Sequence, residues 1–314
     1  MSLINKLRYS RWFSVLVRKP FKVLSKTLDL VSRQIRKKVK VNSGAIHYYG
    51  IQLRFPTNVG RGVLSNIYWK GESGFEEATG KVLMEMFKRS SVFFDIGSNF
   101  GFYSVLAKKV NAQIQVVAFE PLASMVRQNH DFRKANDVEY TVLSKGLSDR
   151  NSVEELFVPE MPDTEKEISS ASFDKDFFFN KKFEHTSVTI ECITLDSFAE
   201  EYAHAGELTN LCMKVDVEGY ELSVLKGAQK VLRSFRPLVV CEVDPKNAAP
   251  LFEYFRSLEF EIFHVQPLGL VKFSMNDFLS DFKKHRDFLI TPREKLKDHH
   301  RNFYAHRQFA TVLN

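Results

Sequence analysis

Two acids, Asp95 and Glu120, flank the stretch of this sequence best suited to chemistry. The apolar run Val-Phe-Phe-Asp-Ile at 92–96 breaks into Gly97-Ser98-Asn99-Phe100-Gly101 and a helix-like segment, and the next apolar run, 114–119, ends on Glu120. Strand, glycine turn, helix and a second strand ending on an acid make the opening βαβ unit of a nucleotide-cofactor fold. A dinucleotide site asks for G-x-G-x-x-G, because its second glycine lets the backbone approach a pyrophosphate on the helix N-terminus. Asn99 stands in that place, so the pattern D-x-G-x-N-x-G at 95–101 suits a ligand without phosphate.

S-adenosylmethionine is such a ligand, an amino acid joined to adenosine through a sulfonium. Gly97 and Gly101 would let the turn pass close under it, with Asp95 near the amino-acid moiety and Glu120 accepting from both ribose hydroxyls. The plain alternative is a strand-turn-helix with structural glycines and a surface acid.

A second acidic motif follows in the other half. The run 211–217 carries Lys214-Val215-Asp216-Val217-Glu218-Gly219, and the strand-like run 238–243 carries Glu242. Ligands of open parallel sheets bind at the carboxyl ends of strands, which brings Asp95, Glu120, Asp216 and Glu242 to one edge. Asp216 is the first candidate for a catalytic base, followed by Glu218, Glu242 and His264. Asp216 has competing roles: bonding the cofactor, bonding a helix N-terminus, or holding Mg²⁺ together with Glu242. No histidine or third acid is set nearby by spacing, so no metal is expected. Lys214 is expected to pair with Asp216 or Glu242, and Asp196 to cap a helix beginning at Ser197.

The elements that must position these groups follow from apolar periodicity. Residues 45–49 and 51–55 read as a hairpin joined at Gly50, leading to a helix at about 74–88. Helices are expected at about 103–110, 122–135 and 221–235, with strands at 115–119 and 139–143. A polar insertion at about 154–182 includes Phe177-Phe178-Phe179 and is expected to carry substrate contacts or form a surface loop. Gly227 and Ala228 are expected where a helix meets a close neighbour. This divides the chain into an arm (1–40), a cap with lead-in helix (41–90), the catalytic domain (91–292) and a tail (293–314).

Charge is unevenly spread. Residues 1–40 hold twelve Lys and Arg against Asp29 alone, so the rest of the chain is net −4 within a total of +7. A nucleic-acid enzyme is expected to carry a basic stripe across its folded body, and because the basicity here belongs to the arm that reading is weakened, though a nucleic-acid methyltransferase is the nearest competing class. Base-methylating loops of the [DNS]-P-P-[YF] or Pro-Cys type are also missing, because none of the ten prolines precedes proline or cysteine. In the arm, Phe21, Leu24, Leu28, Val31 and Ile35 form one apolar helical stripe with lysines and arginines off it. Such a helix can lie on an anionic membrane surface or pack against the body or a second subunit. The three cysteines lack metal or disulfide spacing, there is no secretory h-region, and no apolar run approaches the ~20 residues of a membrane span. The expected compartment is cytoplasmic, with peripheral attachment at the inner membrane face through the arm.

These residues together resemble the FkbM family of S-adenosylmethionine-dependent methyltransferases. The likeness rests on D-I-G-S-N-F-G-F-Y-S at 95–104, A-F-E-P at 118–121, G-L-S-D at 146–149, T-L-D-S-F at 194–198, K-V-D-V-E-G-Y-E at 214–221 and V-L-K-G-A at 224–228. It implies an α/β fold of class I methyltransferase (Rossmann-like) type: a seven-stranded, mostly parallel sheet with helices on both faces and an antiparallel seventh strand at about 286–291. It also implies cofactor contacts at Asp95, Gly97, Asn99, Gly101, Tyr103, Glu120, Pro121, Ser148 and Asp216. Family members methylate oxygen atoms of varied small molecules and glycans. A sugar hydroxyl of a glycan or glycolipid precursor is the expected acceptor here, with a polyketide-type hydroxyl or a non-catalytic membrane-tethered scaffold as alternatives.

Overall fold

A computed structural model describes residues 41–159, 185–203, 208–273 and 286–296. The arm, most of the insertion with its three phenylalanines, and the tail beyond residue 296 lie outside the described residues.

The chain opens with an antiparallel hairpin, β1 (Gly44–Tyr48) and β2 (Ile51–Phe55), in which Tyr48 pairs with Ile51 across the turn at Tyr49 and Gly50. Helices α1 (Arg61–Lys70) and α2 (Glu77–Phe87) follow. The sequence reading did not separate α1. Its signal is Leu64 and Ile67, three residues apart and both buried.

The central sheet takes β3 (Val92–Ile96), β4 (Gln115–Phe119), β5 (Thr141–Leu143), β9 (Leu211–Val215), β10 (Leu238–Glu242), β11 (Phe260–Gln266), β12 (Gly269–Lys272) and β13 (Asp287–Pro292). Their order is β12-β11-β13-β10-β9-β3-β4-β5. Neighbours from β5 to β10 pair in parallel, and β13 runs antiparallel between β10 and β11. The sheet therefore has eight strands rather than seven, because β12 folds back on β11 as an extra edge strand.

Every residue of β3 and β9 is buried. That is why both read as unbroken apolar runs: helices cover each face, so both alternating sets of side chains are inside. Phe93 and Cys212 join the core beneath the hairpin, α1, α2 and α3 (Phe102–Val110). Phe94 and Met213 join the opposite core beneath α5 (Leu195–Ala203), α6 (Glu221–Lys226), α7 (Gln229–Phe235) and α8 (Ala248–Ser257). Helix α4 (Ala123–Ala135) lies between β4 and β5 in sequence and sends Phe132 into the first core.

The expected helix at 221–235 is two helices, because the Gly227 backbone sits against Ser148. A Cβ on Gly227 would lie 2.0 Å from the Ser148 carbonyl oxygen. Asp196 does not cap its own helix. Thr194 Oγ1 accepts from the Ser197 amide at 3.0 Å, while the Asp196 carboxylate accepts from the amides of Lys230 (2.9 Å) and Val231 (3.0 Å) at the start of α7.

The segment read as a polar insertion begins as structure. A second sheet pairs β7 (Ser152–Pro159) antiparallel and β6 (Gly146–Leu147) parallel with β8 (His185–Ile193). The alternation Val188-Ile190-Cys192 was its readable signal, with Ile190 and Cys192 packing on Leu156, Leu122 and Met125.

Candidate functional site

The glycine turn is held from three sides. The amides of Gly97 and Ser98 both donate to the Phe119 carbonyl at 3.0 Å, and the Asp216 amide donates to the Ile96 carbonyl at 3.0 Å. This draws the Asp216 backbone so close that a Cβ on Gly97 (φ +77°) would fall 1.8 Å from its carbonyl oxygen. Gly101 (φ +83°) is required for a different reason. A Cβ there would meet the Tyr140 hydroxyl at 2.6 Å and the Asn129 amide at 2.7 Å. The protein's own packing therefore demands both glycines, and Gly101 lines neither cavity described below.

Glu120 is 6% exposed, and its two oxygens accept from the amides of Asn99 and Leu122, each at 2.9 Å. Burial pushes its carboxyl up to about 7, against the pull of those two amides. A carboxylate oxygen has two acceptor positions, so each retains one beyond its amide. Glu120 lines a cavity of about 110 Å³ with Pro121, Phe119, Leu122, Met125, Leu147 and Leu156. A larger cavity of about 310 Å³ adjoins it, and Gly97, Asn99, Met125, Asp216 and Glu218 line both.

The larger cavity has a charged floor that the strand register explains. Asp95 on β3 pairs with Lys214 on β9, and Glu242 on β10 pairs with Asp287 on β13. These four share the sheet face covered by α2 and α3, and Asp216 follows directly on β9. Lys214, 4% exposed, holds Asp216 Oδ2 at 2.6 Å and lies 5.2 Å from the Tyr103 ring centre. Ser104 donates to Asp95 at 2.5 Å, Thr79 donates to Asp287 at 2.6 Å, and Arg286 pairs with Glu242 at 2.9 Å. The Tyr103 hydroxyl donates to Glu76 Oε2 at 2.7 Å.

Five carboxyls thus face two cations, and their proton affinities show it. Burial raises Asp95 to about 6 and Glu76 to about 7, in both cases against Lys214. Glu242 is raised first by the Asp216 charge, then by burial and Asp287, with Arg286 opposing. Burial pulls Lys214 down, but Asp216, Glu76 and Asp95 outweigh it and hold the ammonium above the usual lysine value.

The expected convergence of Asp95, Asp216 and Glu242 is therefore present, with Glu218 and Tyr103 on the same cavity and Glu120 on the adjoining one. Lys214 makes the expected pair with Asp216. Ser148 lines neither cavity. It is fully buried, its hydroxyl 3.3 Å from that of Tyr220, and its neighbour Leu147 forms the wall instead. His264 is not brought to the site. It pairs in register with Phe288 and stacks on it, ring centres 4.9 Å apart, so its ring lies with the core of the opposite sheet face. Its Nδ1 is 3.2 Å from the Gln266 amide. Among the described residues, no group of three or more His, Cys, Asp or Glu is arranged to hold a metal ion. Sequence reasoning missed Glu76, Thr79, Arg286 and Asp287; only the last had a signal, as an acid at the start of the expected final strand.

Strand order, glycine turn and acid-lined edge together define an α/β domain of the class I methyltransferase type. The methyltransferase FkbM domain matches residues 95–296, and the chain belongs to that family, whose methyl donor is S-adenosylmethionine. A curated relative, Methyltransferase 1 of Beauveria bassiana (strain ARSEF 2860), is 28% identical over 155 residues, 45% of this chain and 59% of that protein. The chain thus spans about three fifths of that relative's length. Among solved structures, a putative SAM-dependent methyltransferase from Streptococcus mutans is similar at TM-score 0.42 and 11% identity, over 89% of this chain and 66% of that one. Precorrin-6y C5,15-methyltransferase from Geobacter metallireducens GS-15 is similar at TM-score 0.35 and 11% identity, over 69% and 86%.

Proposed function

We propose that this chain transfers the methyl group of S-adenosylmethionine to a hydroxyl oxygen, and that the acceptor is a sugar hydroxyl of a glycan or glycolipid precursor. The observation that carries the reading is the pairing of two adjoining cavities: a small apolar one with Glu120 on its wall, and a larger one floored by acids. The lining of the first suits a nucleoside, with its base against Phe119, Leu122, Met125, Leu147 and Leu156 and its ribose hydroxyls on the remaining acceptor positions of Glu120. An excess of carboxylates over cations suits a positively charged ligand in the second.

When bound, S-adenosylmethionine supplies a methyl carbon already made electrophilic by its sulfonium. The chain's task is then mainly to hold and orient the acceptor and exclude water, which can lower the barrier by several kcal/mol. Asp216 lines both cavities, and Lys214 fixes its carboxylate, so it is the group placed to take the acceptor's proton; such a base adds roughly 10²–10⁴-fold. Glu242, raised in pKa, keeps its proton near neutrality and acts as a donor to the acceptor rather than as a base.

Oxygen is favoured over carbon because no thiol nucleophile faces either cavity. Cys192, Cys212 and Cys241 are all buried, and burial pushes their thiols up. The basic arm bears on the acceptor: attachment of residues 1–40 to the inner membrane face would bring the site to where lipid-linked sugars are assembled. No helix among the described residues is long and apolar enough to cross a membrane.

The test is calorimetric titration of wild type and Glu120→Ala with S-adenosylhomocysteine, followed by transfer of labelled methyl to lipid-linked oligosaccharides, free glycans and polyketide-type alcohols. Label recovered as a sugar methyl ether supports the reading. Transfer only to the non-sugar alcohols would overturn the acceptor class, and absence of binding to wild type would overturn the enzyme.

A further inference from the structure

One carboxylate in the larger cavity is treated differently from its neighbours, and it lies ahead of the residues that match the family. Asp95 is held by Ser104 and faces Lys214 in register, Asp216 is held by Lys214, and Glu242 by Arg286. Among the described residues, Glu76 has only the neutral Tyr103 hydroxyl as a side-chain partner, on one oxygen. Its other oxygen has no side-chain partner among the described residues, and Glu76 lines the larger cavity.

The backbone holds it there at a cost. Glu76 adopts φ +36° and ψ +51°, a left-handed conformation that a glutamate rarely takes. Tyr48 pins this turn by donating to the Phe75 carbonyl at 3.1 Å, and the Gly80 amide takes the Glu76 carbonyl at 2.8 Å. Strain maintained by such contacts, at a group that faces a cavity, is a mark of a functional position.

We propose that Glu76 receives the ammonium group of the methyl donor's amino-acid end, in the place the sequence suggested for Asp95. The inference rests on the reading of S-adenosylmethionine as the ligand. With adenosine beside Glu120 in the smaller cavity, the donor's short amino-acid chain crosses the wall both cavities share, near Gly97 and Asp216, and enters the larger one. There an ammonium meets a carboxylate that feels the Lys214 charge, as Asp95 does, but makes no ion pair with a cation among the described residues. The cap at 41–90 is then a part of the cofactor site.

Full-length wild type and Glu76→Gln are titrated calorimetrically with S-adenosylhomocysteine and with 5′-methylthioadenosine, which keeps the nucleoside and thioether but lacks the amino acid. The expected result is at least a roughly tenfold loss of S-adenosylhomocysteine affinity in the variant, with 5′-methylthioadenosine binding within about twofold of wild type, which also reports an intact fold. Unchanged S-adenosylhomocysteine affinity, or an equal loss for both ligands, would overturn the assignment. Wild type binding neither ligand would overturn the cofactor reading together with it. Wild type binding 5′-methylthioadenosine as tightly as S-adenosylhomocysteine would overturn the ammonium contact alone.

Discussion

Lys214→Met probes the charge balance of the site directly. The ammonium lies 2.6 Å from Asp216 and is nearly sealed from water. At an effective dielectric of about 20, a unit pair at that distance attracts by roughly 6 kcal/mol. Removing the lysine also removes its own desolvation cost of several kcal/mol, so the net loss is expected near 3 kcal/mol, as for other broken buried pairs. That loss should depend on pH in a defined direction. Asp95 and Glu76 have folded pKa values of about 6 and about 7, above their ordinary values. Acids raised on folding contribute stability that is fully present below their unfolded pKa and lost as pH rises through the folded one. Wild type should therefore weaken between about pH 4 and pH 7. Without Lys214 both carboxyls move higher still, so Lys214→Met should cost about 3 kcal/mol near pH 8 and about 1 kcal/mol near pH 5, where protons replace the missing cation. Urea unfolding followed by circular dichroism at the two pH values measures both. Equal losses at the two, or less than about 1 kcal/mol near pH 8, would refute the electrostatic account.

Gly97→Ala should abolish S-adenosylhomocysteine binding in calorimetry and cost about 1–3 kcal/mol in urea unfolding, because the added carbon meets the Asp216 carbonyl at a positive φ. Asp196→Ala should cost about 1–2 kcal/mol by exposing two amides at the start of α7, with cofactor affinity unchanged in titration. His264→Phe should leave both S-adenosylhomocysteine affinity and methyl transfer within about twofold of wild type; a larger loss in either assay would return the imidazole to the site.

The sheet and its acidic edge were legible because fully buried parallel strands appear as unbroken apolar runs, and the acid after each run marks its carboxyl end. β3, β4, β9 and β10 carried Asp95, Glu120, Asp216 and Glu242 in that way. What sequence could not show is which face a side chain takes once strands are in register. His264 and Asp287 both lie on strands of the second half, yet one stacks in the far core and the other joins the charged floor, a distinction that a single residue of register decides. Glu76 was hidden for another reason: its left-handed turn has no compositional signal, since glycine or asparagine is the residue expected there. α1 and the second sheet escaped because their periodic signals are short and lie between polar residues.

The side chain of Asn136 has a consequence for how this protein can be taken apart. It accepts from the Arg54 amide and donates to the Arg54 carbonyl, both at 2.9 Å, doing at one residue of β2 what an adjacent strand would do along its whole length. With Tyr48, Leu53 and Phe55 buried in the same core as Phe93 and Phe100, the hairpin is stitched to the body rather than hinged on it. Residue 95, where likeness to the family begins, is then a seam of resemblance and not of folding. Grafting acceptor specificity between members of the family would have to carry residues 41–94 across with the domain, or leave half of that core exposed.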